Sequence, residues 1–132
     1  MVNTPPAQVL VVDDDPDFRL IVVSILNGLG VDRPLEARHG REGVALYQRH
    51  KPRLVFLDMY MPGGMDGMET LRQILAYDNL ANVVMLTASS NNYVYDDAIW
   101  GGARGFITKG GPGTDLAGAI RQSVSMVLAP QG

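Results

Sequence analysis

The sequence has 132 residues, 46% of them hydrophobic and 19% charged, which is the composition of one folded globular domain. The absence of cysteine excludes disulfides, thiolate metal sites and thiol catalysis, and it fits a reducing compartment. The formal net charge of −3 disfavours direct nucleic-acid binding, and no apolar run reaches the roughly 18 residues that cross a bilayer. We therefore expect a single cytoplasmic domain over residues 1–132, with a core from about 8 to 128 and no membrane contact.

Four short apolar runs stand out along the chain, and each one stops at a polar residue. They cover residues 9–12, 54–57, 83–86 and 106–107, and they precede Asp13, Asp58, Thr87 and the pair Thr108-Lys109. Continuous apolar runs of this length predict strands that are buried on both faces, as in a parallel sheet covered by helices. A weaker fifth run at residues 34–37 is another candidate strand.

The segment after the first run carries the signals of a helix start. Asp15 precedes Pro16, which is the order of an N-cap and a first-turn proline. We therefore assign Asp15 to helix capping and not to the site formed by its neighbours. The buried face of this helix is predicted from the apolar residues that follow at helical spacing, namely Phe18, Ile21, Ile25 and Leu29.

Four further helices are predicted between the remaining runs. The second covers residues 41–49 and the fourth covers residues 91–100. The third begins at Asp66, with Glu69 three positions later as in a capping box, and the last begins near residue 114 or 115. The order βαβαβαβαβα predicts an α/β fold of three layers, with a five-stranded parallel sheet between two layers of helices.

The polar residues that end the apolar runs form the candidate site. Ligands of open α/β sheets bind beyond the carboxyl ends of the strands, so Asp13, Asp14, Asp58, Thr87 and Lys109 should converge there. Crowded carboxylates repel one another, and a hard cation such as Mg2+ relieves the repulsion. The cation and the lysine would neutralise a phosphoryl group carried by one carboxylate, while the threonine would donate a hydrogen bond.

Four ordered motifs give the sequence a family resemblance. They read VVDD at residues 11–14, LDMYMP at 57–62, LTA at 86–88 and GARGFITK at 102–109. Together they resemble the CheY-like receiver domains of bacterial two-component response regulators, over nearly the whole chain from about residue 8 to residue 127. Any one of the motifs alone is weak, but the ordered set is specific. The resemblance implies a flavodoxin-like (βα)5 sandwich and a Mg2+-dependent phosphorylation switch.

Site residues carry over from the family motif by motif. The resemblance implies that Asp58 is both the phosphoacceptor and a metal ligand. Asp14 would bind Mg2+ directly and Asp13 mostly through water, while the backbone carbonyl of Tyr60 would complete the protein's share of the ligands. We expect Tyr60 and Ser89 to govern the access of water to the phosphoryl group and thereby its lifetime.

The remaining motif positions would read out phosphorylation. The resemblance implies that Thr87 is the switch hydroxyl, that Lys109 pairs with the phosphoryl oxygens, and that Phe106 is the aromatic rotamer switch. A sensor histidine kinase or a phosphotransfer protein would donate the phosphoryl group. The fourth helix, the last strand and the fifth helix would bind a downstream protein or effector domain, with the chain a monomer or a weak homodimer.

Other readings remain open at this stage. A pseudo-receiver would keep the fold and bind proteins without phosphate, which is favoured by a departure from the family: Gly110 and Gly111 follow Lys109 in place of proline. A phosphatase of the haloacid dehalogenase class would match the pattern of Asp13 and Asp15 but lacks room for a cap. A flavodoxin-like electron carrier would share the fold class, but this sequence lacks the phosphate-binding loop of such carriers.

We expect no enzyme activity beyond self-directed phosphoryl transfer and hydrolysis. Trp100 either contacts a partner or packs on the last helix.

Overall fold

The fold is that of a computed structural model, which describes residues 8–88, 92–110 and 113–128 and only the backbone of residues 92–95. The strands are β1 (Val9–Val12), β2 (Leu35–Ala37), β3 (Leu54–Asp58), β4 (Val83–Thr87) and β5 (Gly105–Thr108). The helices are α1 (Pro16–Gly28), α2 (Gly40–His50), α3 (Gly67–Tyr77), α4 (Asn92–Trp100) and α5 (Leu116–Leu128). Strands and helices alternate as predicted. No helix in the described part of the chain is long and apolar enough to span a bilayer.

All five strands are parallel and lie in the order β2-β1-β3-β4-β5. The register places Val12 beside Leu57, Asp58 beside Leu86 and Thr87 beside Thr108, so the strands reach the same edge of the sheet together. Because the chain moves from β1 to β2 on one side and then to β3 on the other, the strand order reverses at β1. Ligands of open α/β sheets bind at such a reversal.

Two hydrophobic cores lie on opposite faces of the sheet. Alternate side chains of a strand point to opposite faces, so Leu10 packs under α2 and α3, while Val11 packs under α1 and α5. Val55 and Phe56 divide in the same way. The helices therefore cover both faces, and the fold is the predicted three-layer α/β sandwich of the flavodoxin-like type.

The predicted buried face of α1 is wrong at two positions. Ile21 is 48% exposed, and Leu29 is the C-cap residue and 36% exposed. Val22 and Leu26 are fully buried instead, because the centre of the apolar stripe is rotated by a fraction of a turn from the predicted one. Beyond the end of the helix, the buried side chain is that of Val31.

Helix ends follow the predicted signals. The Asp15 carboxylate accepts hydrogen bonds from the backbone of Asp17 at 3.0 Å and of Phe18 at 3.4 Å, and the Asp66 carboxylate accepts one from Glu69 at 2.8 Å. In α4, Ala98 is buried, whereas the predicted first residue, Asn91, lies outside the described residues. Trp100 is 90% exposed, so it does not pack on the last helix, and its contact with a partner stays a prediction.

The start of α3 lies directly on the end of β3. The backbone N–H of Gly67 donates a hydrogen bond to the carbonyl of Met59 at 3.1 Å, and Gly67 is buried. A Cβ atom at this position would collide with the carbonyl oxygen of Asp58 and would lie 2.7 Å from Cα of Met59. The close approach therefore requires glycine, and it fixes the backbone that carries Asp58.

We expect Gly67→Ala to lower the free energy of unfolding by roughly 1–3 kcal/mol, the usual cost of overpacking a filled site. Urea unfolding followed by circular dichroism measures the loss. Gly28→Ala in α1 is the matched control, because a Cβ atom there meets nothing within 4 Å and alanine favours a helix. Equal stability of the Gly67→Ala variant and the wild type would contradict the close packing.

A buried phenol joins α2 to the end of α3. Tyr47 is 2% exposed, and its hydroxyl donates a hydrogen bond to the carboxylate of Asp78, the C-cap residue of α3, at 2.7 Å. Burial and the neighbouring Asp78 carboxylate raise the pKa of Tyr47, and the hydrogen bond from Tyr47 lowers the pKa of Asp78. The pair is therefore a neutral phenol and an ionised carboxylate over the ordinary pH range.

We expect Tyr47→Phe to lower the free energy of unfolding at pH 7 by about 1 kcal/mol, the usual value of one hydrogen bond. The stabilisation from Asp78 is present above its unfolded pKa and is lost as the pH falls through its lowered folded pKa. Tyr47→Phe should therefore lose less stability than the wild type below about pH 5. Urea unfolding across that range measures the difference, and identical pH profiles would contradict it.

Candidate functional site

Three carboxylates cluster at the carboxyl edge of the sheet. Asp13 follows β1, Asp58 ends the neighbouring strand β3, and one carboxylate oxygen of each lies within 4.8 Å of the others and of an oxygen of Asp14. Asp13 is fully buried and Asp58 is 3% exposed, whereas Asp14 is exposed. The cluster therefore has a buried floor and one side open to solvent.

The ammonium of Lys109 lies between the two buried carboxylates. Its Nζ is 2.8 Å from Oδ2 of Asp13 and 3.2 Å from Oδ1 of Asp58. The backbone N–H of Lys109 donates to the carbonyl of Thr87 at 2.7 Å, which holds the end of β5 against the end of β4. The convergence predicted from the apolar runs is thus present for the three aspartates and Lys109, with Thr87 buried at the end of the adjacent strand.

Backbone contacts orient the carboxylates. Oδ1 of Asp13 accepts a hydrogen bond from the backbone of Asp15 at 2.9 Å, and Oδ1 of Asp58 accepts one from the backbone of Tyr60 at 3.3 Å. Nη1 of Arg19 donates to the backbone carbonyl of Asp13 at 2.8 Å, while its Nε lies 3.1 Å from Glu36 in β2. These contacts leave Oδ2 of Asp13 directed toward Lys109.

Two residues at this edge were not singled out from the sequence as part of the site. Arg19 lies one helical turn after the cap residue Asp15, and this spacing of a cation from the cap is the sequence feature that could have placed Arg19 near the site. Phe18 was assigned to the buried face of α1, but its ring also faces the ammonium of Lys109, whose Nζ is 4.6 Å from the ring centroid. No spacing rule predicts that contact, because it joins α1 to the far end of β5.

Three further residues were predicted to take part in the site, namely Phe106, Tyr60 and Ser89. Phe106 is half-buried in β5, beside Met85 in the register, and packs against the core beneath α2 and α3. The ring of Tyr60 is 58% exposed, and Ser89 lies outside the described residues. In the loop that follows β3, Met59 and Met61 pack inward and are 5% and 4% exposed.

Electrostatics at the cluster favour an added cation. Burial, followed by the charge of Asp13, raises the pKa of Asp58 to about 7, and Lys109 offsets only part of this rise. Burial lowers the pKa of Lys109, but its contacts with Asp13 and Asp58 outweigh burial and hold the pKa above its usual value. Three carboxylates thus face one ammonium, and the excess negative charge is unfavourable in a buried site.

The donor set fits a hard divalent metal ion. Oδ2 of Asp13 is buried and lies 2.8 Å from the ammonium of Lys109, its cationic partner. The cluster supplies carboxylate oxygens and no histidine or cysteine, which is the ligand chemistry of Mg2+ and not of zinc. Asp14 provides a solvent-facing ligand beside the buried pair.

Comparison with known proteins gives the family. The sequence matches the response regulator receiver domain over residues 9–121. It is 36% identical to the chemotaxis protein CheY of Bacillus subtilis over 102 residues, which are 77% of this chain and 84% of that protein. It is 32% identical to the nitrate/nitrite response regulator NarL of Escherichia coli in an alignment that covers 98% of this chain and 61% of that protein.

Solved structures agree with the sequence match. The receiver domain of NtrX from Brucella abortus is 31% identical, with a TM-score of 0.81 over 93% of this chain and 99% of that chain. A chain in the CheX-CheY-BeF3-Mg2+ complex from Borrelia burgdorferi is 30% identical, with a TM-score of 0.81 over 92% of this chain and 89% of that chain.

The protein therefore belongs to the response regulator receiver family. It is a receiver domain related to the two-component regulators CheY and NarL, and its acidic pocket of Asp13, Asp14 and Asp58 is consistent with a phosphoacceptor site. The resemblance read from the four sequence motifs is confirmed.

We expect the affinity of the metal-free protein for Mg2+ to rise between about pH 6 and pH 8, because a proton must leave Asp58, whose pKa is about 7, before the carboxylate binds the cation. Asp58→Asn should weaken binding and remove most of this pH dependence. Isothermal titration calorimetry at several pH values measures both effects. An equally steep pH dependence in Asp58→Asn would contradict the assigned proton.

Proposed function

We propose that this receiver domain is a phosphorylation switch in a two-component phosphorelay and that Asp58 accepts the phosphoryl group. The observation that carries the proposal is the buried position of Asp58 between an acidic pair and the ammonium of Lys109. A carboxylate held there is a nucleophile beside groups that neutralise an incoming anion. A sensor histidine kinase or a phosphotransfer protein would be the donor, as the family resemblance implies.

In the transfer step, an oxygen of the Asp58 carboxylate attacks the phosphorus of a phosphohistidine. The new bond joins phosphorus to that oxygen, while the bond between phosphorus and the histidine nitrogen breaks and the nitrogen keeps its electron pair. Lys109 lies 3.2 Å from Oδ1 of Asp58 and would pair with the phosphoryl oxygens. Hydrolysis of the resulting acyl phosphate by water returns the free carboxylate.

Mg2+ would be held by Asp14, Asp58 and the backbone carbonyl of Tyr60, and by Asp13 through a water molecule. When bound, the ion would neutralise the carboxylates and the oxygens of the transferring group. The protein's own part is to exclude water from the floor of the site, through the burial of Asp13 and Asp58, and to leave the side of Asp14 open to the donor.

The structural effect of phosphorylation would be transmitted from the phosphoryl group to the face formed by α4, β5 and α5. Thr87 lies at the end of β4 in register with Thr108, next to Phe106 in β5, so a hydroxyl drawn toward a phosphate would change the space available to that ring. The same face ends in Trp100, which is 90% exposed. Exposed tryptophans are frequent anchors in protein interfaces, so we assign this face to a downstream protein or effector domain.

Turnover of other substrates is not part of the proposal. The second carboxylate of an Asp-x-Asp phosphatase pattern would be Asp15, but its side chain accepts hydrogen bonds from the first turn of α1 and lies on an exposed cap. The competing reading as a phosphate-independent pseudo-receiver rests on the Gly110 loop. The ion pairs of Lys109 with Asp13 and Asp58 argue against it, because the lysine reaches the site despite that loop.

We expect incubation with acetyl phosphate and Mg2+ to add one phosphoryl group to the wild type and none to Asp58→Asn, because Asp58 stands at the phosphoacceptor position of the family motif, 3.2 Å from the ammonium of Lys109. Intact-mass spectrometry measures the adduct, and omission of Mg2+ should abolish it.

Asp32→Asn is the matched control, since Asp32 is exposed and its ion pair among the described residues is with the neighbouring Arg33 at 3.4 Å. It should be phosphorylated like the wild type. An unmodified wild type, or an undiminished adduct in Asp58→Asn, would favour the pseudo-receiver.

A further inference from the structure

The ammonium of Lys109 has three neighbours, two carboxylates and one aromatic ring. Two are the carboxylates of Asp13 and Asp58, at 2.8 and 3.2 Å, and the third is the ring of Phe18, with its centroid 4.6 Å from Nζ. The side chain of Lys109 is 18% exposed, so little water reaches it. A cation over an aromatic face at this distance is attracted by the ring quadrupole, more strongly when it is partly desolvated.

The carboxylates are not permanent supports for the lysine. In the proposed function, on which this inference rests, Asp58 becomes an acyl phosphate, and the negative charge of the cluster is shared with Mg2+. Both events weaken the contacts of Lys109 with the carboxylate oxygens of Asp13 and Asp58, and the ammonium then has to pair with the phosphoryl oxygens instead. The aromatic ring binds neither a metal ion nor a phosphoryl group, so its attraction for the ammonium persists.

The backbone beside Lys109 adds little restraint to the side chain. Its N–H is fixed to the carbonyl of Thr87 at 2.7 Å, but the next residue is Gly110, which is exposed and has nothing within 4 Å of the position where a Cβ atom would be. The four-carbon chain of a lysine is flexible, so contacts at its tip determine where the ammonium lies.

Phe18, in contrast, is fixed on three sides. It lies in the first turn of α1, where its backbone N–H donates to the capping carboxylate of Asp15 at 3.4 Å. The ring is half-buried and packs against the core beneath α1 and α5, while the next residue, Arg19, donates to the carbonyl of Asp13 at 2.8 Å. The ring is therefore held in a constant position relative to the acidic floor.

We infer that Phe18 is a positioning residue for the proposed phosphoryl transfer, and that its ring holds the Lys109 ammonium over Asp58 when the carboxylates are engaged by metal and phosphoryl group. A cation–π contact at a partly desolvated site is worth about 3- to 30-fold in an equilibrium constant. Loss of the ring should therefore weaken the binding of a phosphoryl analogue by that factor.

The test compares beryllofluoride affinity in saturating Mg2+ across a double-mutant cycle. Phe18→Leu should bind about 3- to 30-fold more weakly than the wild type, and Phe18→Tyr, which keeps the aromatic face, should restore most of the affinity. In a Lys109→Met background, Phe18→Leu should have no further effect, because the cation is absent. Ile25→Val, which trims the same side of α1 away from Lys109, is the control for lost packing and should bind normally.

A spectroscopic readout separates positioning from packing. The ring current of Phe18 should shift the ε-methylene protons of Lys109 upfield in the wild type and in Phe18→Tyr, with and without Mg2+, but not in Phe18→Leu. An unshifted wild-type signal in Mg2+, or an equal loss of affinity in the Lys109→Met background, would overturn the inference. If the wild type failed to bind beryllofluoride, the proposed function would fall, and the lysine signal in Mg2+ would still decide whether the ring holds the ammonium.

Discussion

Asp13 and Asp58 lie side by side at the carboxyl edge of the sheet, almost completely buried, with the ammonium of Lys109 between them. Burying carboxylates is costly unless they are paired, and one lysine does not balance a cluster of three. Burial, and after it the charge of Asp13, accordingly raise the pKa of Asp58. A site with this deficit of positive charge can bind a metal cation, and its acidic pocket is consistent with a phosphoacceptor site.

The rest of the fold serves to hold these charges together. Parallel pairing of β1 with β3, and of β3 with β4, brings the ends of three strands to one edge, and the close packing of Gly67 fixes the backbone at Asp58. Helices on both faces provide the two cores that make the edge rigid. The energetic gain of the cores thus offsets the cost of a strained electrostatic site, as is common where function is located.

Much of this arrangement could be predicted from the sequence. Buried parallel strands leave continuous apolar runs, and each run ends at the residue that reaches the sheet edge, so Asp13, Asp58 and Thr87 were placed by pattern alone. The cap role of Asp15 followed from the proline after it. Periodicity gave the existence of α1 but not the centre of its buried stripe, which is why Ile21 was assigned inward and is exposed.

Contacts between elements that are distant in the sequence could not be predicted from the sequence. Phe18 and Arg19 approach the site because α1 packs beside β1 and near the end of β5, and no local rule contains that geometry. The glycines after Lys109 favoured the pseudo-receiver, yet the tip of the lysine is held by side-chain contacts that only tertiary packing creates. Sequence patterns therefore located the charged groups, and packing determined how they are oriented.

A crystal structure of the protein with Mg2+ and beryllofluoride tests the central claim most directly. The account predicts a beryllium–oxygen bond to Asp58, a metal ion bound by Asp14 and Asp58, and Lys109 in contact with a fluoride. An analogue bound elsewhere, or a cluster that excludes the metal ion, would contradict it.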